Sequence, residues 1–152
     1  MDKKKFLKEE FTRLLSTLQP EQKGKWGKMN AQQMVEHMSY AFRLGSGRHS
    51  EKPAYSPEIT QRSYQFMMTE KPFRENTPNQ LLSDEPYEWK NKNIADAIAE
   101  LQSEIDYFFH VYSENEELRT INPFFGNLNF EEQVQLLHKH ATHHARQFGM
   151  EV

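Results

Sequence analysis

Cysteine is absent from this chain. No disulfide, thiolate metal site or cysteine nucleophile can form, and any bound metal must use nitrogen or oxygen ligands. Long apolar runs are missing as well. No stretch approaches the roughly 20 residues of a membrane span. The basic opening Lys3-Lys4-Lys5 runs into Phe6-Leu7-Lys8-Glu9-Glu10, not into the apolar stretch of a signal peptide. The expectation is a cytoplasmic protein with no membrane partner. Positive charge is also in short supply. Lys and Arg number 19 against 22 Asp and Glu, for a net charge of −3, which argues against a nucleic-acid partner bound through a basic face. There is no phosphate loop, nucleophile elbow or dinucleotide fingerprint, so the catalytic residues stay unassigned.

What is present suits one globular unit. A chain of 152 residues, 36% hydrophobic and 27% charged, can bury a real core as a single domain over 1–152. Phe6, Leu7, Phe11, Leu14, Leu15 and Leu18 recur at three- and four-residue steps, which predicts a helix from about Lys3 to Leu18 that Pro20 ends. A polar loop over 21–29 follows, with Trp26 as its large anchor. Asn30 then caps a second helix over Ala31 to Leu44, with Gln33 as box partner, Met29 and Met34 at the staple positions, and Gly45 as its stop. His37 falls on the same side as Met34, Met38 and Ala41. Prolines at 53, 57, 72, 78 and 86 punctuate a long crossover, within which a short helix from about Glu58 to Met68 is expected. The clearest helix runs from Ile94 to Tyr112, and the last from an Asn129 cap, with Glu132 as its partner, to about Phe148. No strand alternation is convincing. The predicted fold is all-α: a four-helix bundle with a long crossover between helices 2 and 3.

The last helix places four of the seven histidines, His138, His140, His143 and His144, within seven residues. His140 and His144 are four apart and so stack on one helical face. Together with His37 from another helix they could form a three-histidine metal site inside a bundle, with a coordination position left open for water or substrate. Neutral imidazole suits zinc, nickel, iron and copper. The same spacing also suits a solvated helix face, or a hydrogen-bonded polar core without metal. His138 and His143 fall at the edges of the inward face and are expected to meet solvent or a neighbouring subunit. His110 is expected to be partly exposed, and His49 has no evident partner. Glu36 points about 100° away from His37 and is no obvious base. Trp26, Tyr64, Trp89, Phe124 and Phe125 could line a pocket or fill the core, and the core is the expectation.

The segments Asn122-Pro123-Phe124-Phe125-Gly126 and His140-Ala141-Thr142-His143-His144-Ala145-Arg146-Gln147-Phe148-Gly149, with Met29 to Met38 upstream, resemble the DinB/YfiT-like superfamily, and within it the DUF1569 branch. The resemblance implies an up-down-down-up four-helix bundle with a metal, zinc or nickel, on His37, His140 and His144. It implies a metal-dependent enzyme acting on a small molecule, as a hydrolase or a transferase of low-molecular-weight thiols, and a homodimer. A non-enzymatic binding or stress-associated bundle with a structural or vestigial metal is the alternative. In that branch the turn before the last helix often begins His-Pro; Asn122 stands there in this chain.

Overall fold

The computed structural model describes residues 2–75 and 90–152. Pro78, Pro86 and Trp89, invoked above, lie outside them. Helices dominate, joined by a small antiparallel hairpin, and no described helix is long and apolar enough to cross a membrane.

The N-terminal stretch is helical but not uniform. Helix α1 (Lys3–Lys5) leads into a π-helical segment (Phe6–Glu10) and then α2 (Phe11–Leu15). The wider π turn keeps Phe6, Leu7, Phe11 and Leu15 all buried. Helix α3 (Ala31–Ser46) starts at the expected capping box: the Asn30 side chain accepts from Gln33 N at 2.9 Å, and Gln33 Oε1 accepts from Asn30 N at 2.9 Å. It ends two residues later than the sequence suggested. Gly45 stays helical and Gly47 adopts φ +83° as the left-handed cap. Gly45 lies in the last turn, where its carbonyl has no intrahelical donor and accepts instead from Tyr112 Oη (2.7 Å) and Thr120 Oγ1 (3.0 Å).

Helix α4 (Pro57–Met67) is the short helix expected in the crossover, and α5 (Ile94–Glu114) the long apolar one. The absence of strands is corrected by β1 (Thr120–Asn122) and β2 (Gly126–Leu128), paired with Thr120 opposite Leu128 and Asn122 opposite Gly126. Three residues per strand are too few to show alternation. Asn122 Oδ1 accepts from Phe124 N (2.9 Å) and Phe125 N (3.2 Å), so this side chain shapes the turn. Helix α6 (Phe130–Gln147) opens on the Asn129–Glu132 capping box.

α3 packs most extensively on α5, with the Phe42 and Phe108 rings 5.6 Å apart. α6 and the N-terminal helical stretch close the core around Met34, Met38, Leu101, Ile105 and Leu137, all buried. A second, smaller cluster of Met67, Leu128 and Leu136 sits under the hairpin, with Tyr64, Phe73 and Phe125 packed on it. The consequence for function is that the middle of α3 faces the last three turns of α6.

Candidate metal centre

That packing brings His37, His140 and His144 together. His37 Nε2 lies 2.9 Å from His140 Nε2, and His140 Nε2 lies 2.9 Å from His144 Nε2. One ring nitrogen from each of the three falls within 4.8 Å of the other two. The rings do not stack: His37 stands at 79° and 82° to its two neighbours, with centroids 4.8 and 5.0 Å away. His37 and His144 are 4% and 6% exposed, whereas His140 is partly open to solvent.

Burial sets the charge state. It lowers the His37 pKa to about 4, with the His143 charge as a second cause. His140 and His144 are pushed well below 6.5, again first by burial and then by neighbouring histidines. All three rings are therefore neutral at pH 7, the form that ligates metals.

Protons can then be counted. Gln147 Nε2 donates to Trp26 O at 2.8 Å, and a carbonyl can only accept, so the amide orientation is fixed. Gln147 Oε1 consequently faces His144 Nδ1, at 2.7 Å, and accepts its N–H. In the neutral ring, His144 Nε2 is then a bare lone pair. A proton on His140 Nε2 satisfies His144 but not His37. A proton on His37 Nε2 satisfies His140 and leaves two lone pairs facing across 2.9 Å. His37 Nδ1 is itself buried without a hydrogen-bond partner among the described residues. A hydrogen-bonded polar core thus leaves the cluster incomplete. A divalent ion that accepts the three Nε2 lone pairs removes the conflict between them, and 2.9 Å is a gap that two bonds of about 2 Å can bridge. The donor set fits such an ion.

The other singled-out residues fall elsewhere. His143 is half-buried, with its ring 5.5 Å from that of Trp26, 6.2 Å from Phe73 and 5.1 Å from His144. His138 does not simply meet solvent: its ring packs edge-on against Phe6 at 5.4 Å, and burial lowers its pKa to about 4. His49 does have a partner, Glu51 Oε1 at 2.8 Å. His110 is exposed near Glu114. Trp26, Tyr64, Phe124 and Phe125 are partly buried, outside the fully buried core. Tyr64 and Phe125 line a cavity of about 450 Å³ with Tyr55, Arg119 and Glu132. It opens at the first turn of α6, roughly 12 Å along the axis from His140.

Three roles were missed by the sequence reading. One is that of Gln147, which sits three positions after His144, a helical spacing that could have flagged it. Glu36, 3% exposed, accepts from Lys90 N (3.0 Å), Asn91 N (2.8 Å) and Asn91 Nδ2 (2.9 Å), tying the start of the chain's second half beside His37. Lys139, 5% exposed, donates to the carbonyls of Phe66, Thr69 and Lys71 and ties the end of α4 beside His140.

A family model described as the DinB superfamily matches residues 6–148. No curated protein and no solved structure matches the chain.

Proposed function

From the premise that the chain belongs to the DinB superfamily, we propose that it is a divalent-metal-dependent enzyme whose ion is held by His37, His140 and His144. The fold reading that goes with it is a single-domain four-helix bundle in which the N-terminal helical stretch, α3, α5 and α6 are the bundle helices and α4 rides on the crossover. Zinc or nickel is the ion, since three neutral imidazoles accept either. The substrate is a small molecule and the reaction a hydrolysis or the transfer of a low-molecular-weight thiol. A cytoplasmic homodimer is the proposed working form.

The observation that carries this reading is the proton conflict among three Nε2 atoms, two pairs of which lie 2.9 Å apart. When bound, a divalent ion supplies a Lewis acid that lowers the pKa of a water or thiol. The chain's residues do the rest. Gln147 fixes the tautomer of His144. Burial keeps all three rings neutral at pH 7, each with one nitrogen bearing a lone pair. The partial exposure of His140 leaves an approach for a small molecule. Trp26 and Phe73, whose rings both lie near His143, offer apolar surface for it.

The burial of His37 and His144 favours a second reading, a structural ion in a non-enzymatic protein. Cobalt(II) substitution separates the two. An open position makes the visible spectrum shift when a small thiol or azide is added; a spectrum indifferent to both would leave the structural reading in place.

A further inference from the structure

Gln147 makes more contacts than the tautomer of one ring requires. Its side chain is 3% exposed and reaches two elements at once. Oε1 accepts from His144 Nδ1 at 2.7 Å, while Nε2 donates to Trp26 O at 2.8 Å, 121 residues away in sequence. Its own backbone carbonyl accepts from Lys25 N at 2.7 Å. The loop around it is shaped to allow this. A Cβ on Gly24 would meet Gln147 Cγ at 2.8 Å, and one on Gly27 would meet Gln147 Nε2 at 2.7 Å. Gly27 also has φ +79°, which side-chain-bearing residues rarely adopt. The two glycines let the backbone of 24–27 close directly onto the glutamine.

The same loop carries Trp26, whose ring lies 5.5 Å from His143, the neighbour of the His144 ring. One amide therefore joins a ligand candidate to the loop that walls that side of the cluster. A displacement of the loop removes the acceptor that orients Gln147. Reorienting Gln147 would turn an N–H toward His144 Nδ1 and force the opposite tautomer, with the proton on Nε2, where a ligand needs a lone pair.

We infer that Gln147 is a positioning residue that couples the three-histidine cluster to the Gly24–Gly27 loop, so that loop conformation and metal affinity depend on each other. The inference rests on the metal reading above for its affinity half. Its other half, the tie between the His144 tautomer and the loop, stands on hydrogen bonds alone.

Three variants resolve it in the full chain: Gln147→Leu, Gln147→Glu and Gly24→Ala. Zinc(II) affinity is measured by competition with a chromophoric chelator. Loop order is read from hydrogen exchange at the Lys25 amide, and the His144 tautomer from imidazole nitrogen chemical shifts. Gln147→Leu is expected to weaken zinc binding about 10–100-fold, as loss of a partner behind a ligand does. It also speeds Lys25 exchange. Gln147→Glu keeps an acceptor for His144 and loses the donor to Trp26. It should hold zinc within a few-fold of wild type while its loop still exchanges faster. Gly24→Ala touches no ligand, yet it should weaken zinc several-fold by displacing the glutamine.

If wild type binds zinc and Gln147→Leu binds it within twofold, the coupling is wrong and the metal reading survives. If wild type binds no zinc, the metal reading falls. The tautomer and Lys25 arms then decide the rest: a mixed His144 tautomer with faster exchange in Gln147→Leu upholds the positioning role, and unchanged values overturn it. Far-UV circular dichroism of each variant checks that it is folded.

Discussion

Acidification offers the most quantitative handle on the cluster. Take the metal-free protein from pH 7.5 to pH 5. His37 is 4% exposed and its pKa is lowered from 6.5 to about 4, first by burial and second by the charge of His143. The unfolded chain therefore binds the proton that the folded chain refuses, and stability falls as pH falls. The contribution is whole above pH 6.5, the unfolded value, and is lost progressively down to about pH 4, the folded one. At pH 5 the unfolded ring is almost fully protonated and the folded ring about one-tenth so, a difference of about 2 kcal/mol for this residue. His140 and His144 shift in the same direction for the same main cause and deepen the loss. Their effects do not simply add, because protonating one ring opposes protonating the next. Urea unfolding followed by far-UV circular dichroism, with chelator present, gives the free energy at each pH. The expected fall is at least about 2 kcal/mol between pH 7.5 and 5, on the same linkage. Equal stability at the two pH values would refute the claim that these rings are buried and neutral.

Three further outcomes follow from the same geometry. Glu36→Gln keeps one acceptor oxygen but loses the charge and places an amide N–H₂ where the other oxygen faces Lys90 N–H; it should cost about 1–3 kcal/mol in chemical unfolding, and a cost near zero would contradict the anchoring role. Gly47→Ala forces a side chain into φ +83° with its Cβ 3.1 Å from Thr120 Cγ2, and should destabilise by about 1–2 kcal/mol in the same assay. Zinc at about 100 times its dissociation constant should add about 2.7 kcal/mol of stability and raise Tm by roughly 5–10 °C, reversed by chelator; an unmoved Tm counts against binding to the folded state.

Much of this was readable before any coordinates. The 3.6-residue period located the helices, and both capping boxes, Asn30–Gln33 and Asn129–Glu132, formed as the spacing implied. The i, i+4 pair His140 and His144 sits on one face because helix geometry requires it. That His37 meets this pair was only an expectation, since it depends on how α3 and α6 pack and no local pattern encodes that. Glu36 illustrates the same limit. Its acceptors serve backbone groups 54 and 55 residues away, so the sequence showed only a carboxylate facing away from a histidine. The sequence pointed to Gly45 as the stop; the helix instead runs on to Ser46 with Gly47 as the left-handed cap, and the Gly45 carbonyl is held by Tyr112 and Thr120. The hairpin was hidden because its strands are three residues each and pair across a turn shaped by one asparagine side chain.

An ion shared by three imidazoles is what elemental analysis tests most directly. Untagged protein, purified without chelator, should carry close to one equivalent of zinc or nickel per chain, and folded His144→Ala close to none. Wild-type protein that stays metal-free after incubation with zinc and nickel, or His144→Ala that retains the full equivalent, would contradict it.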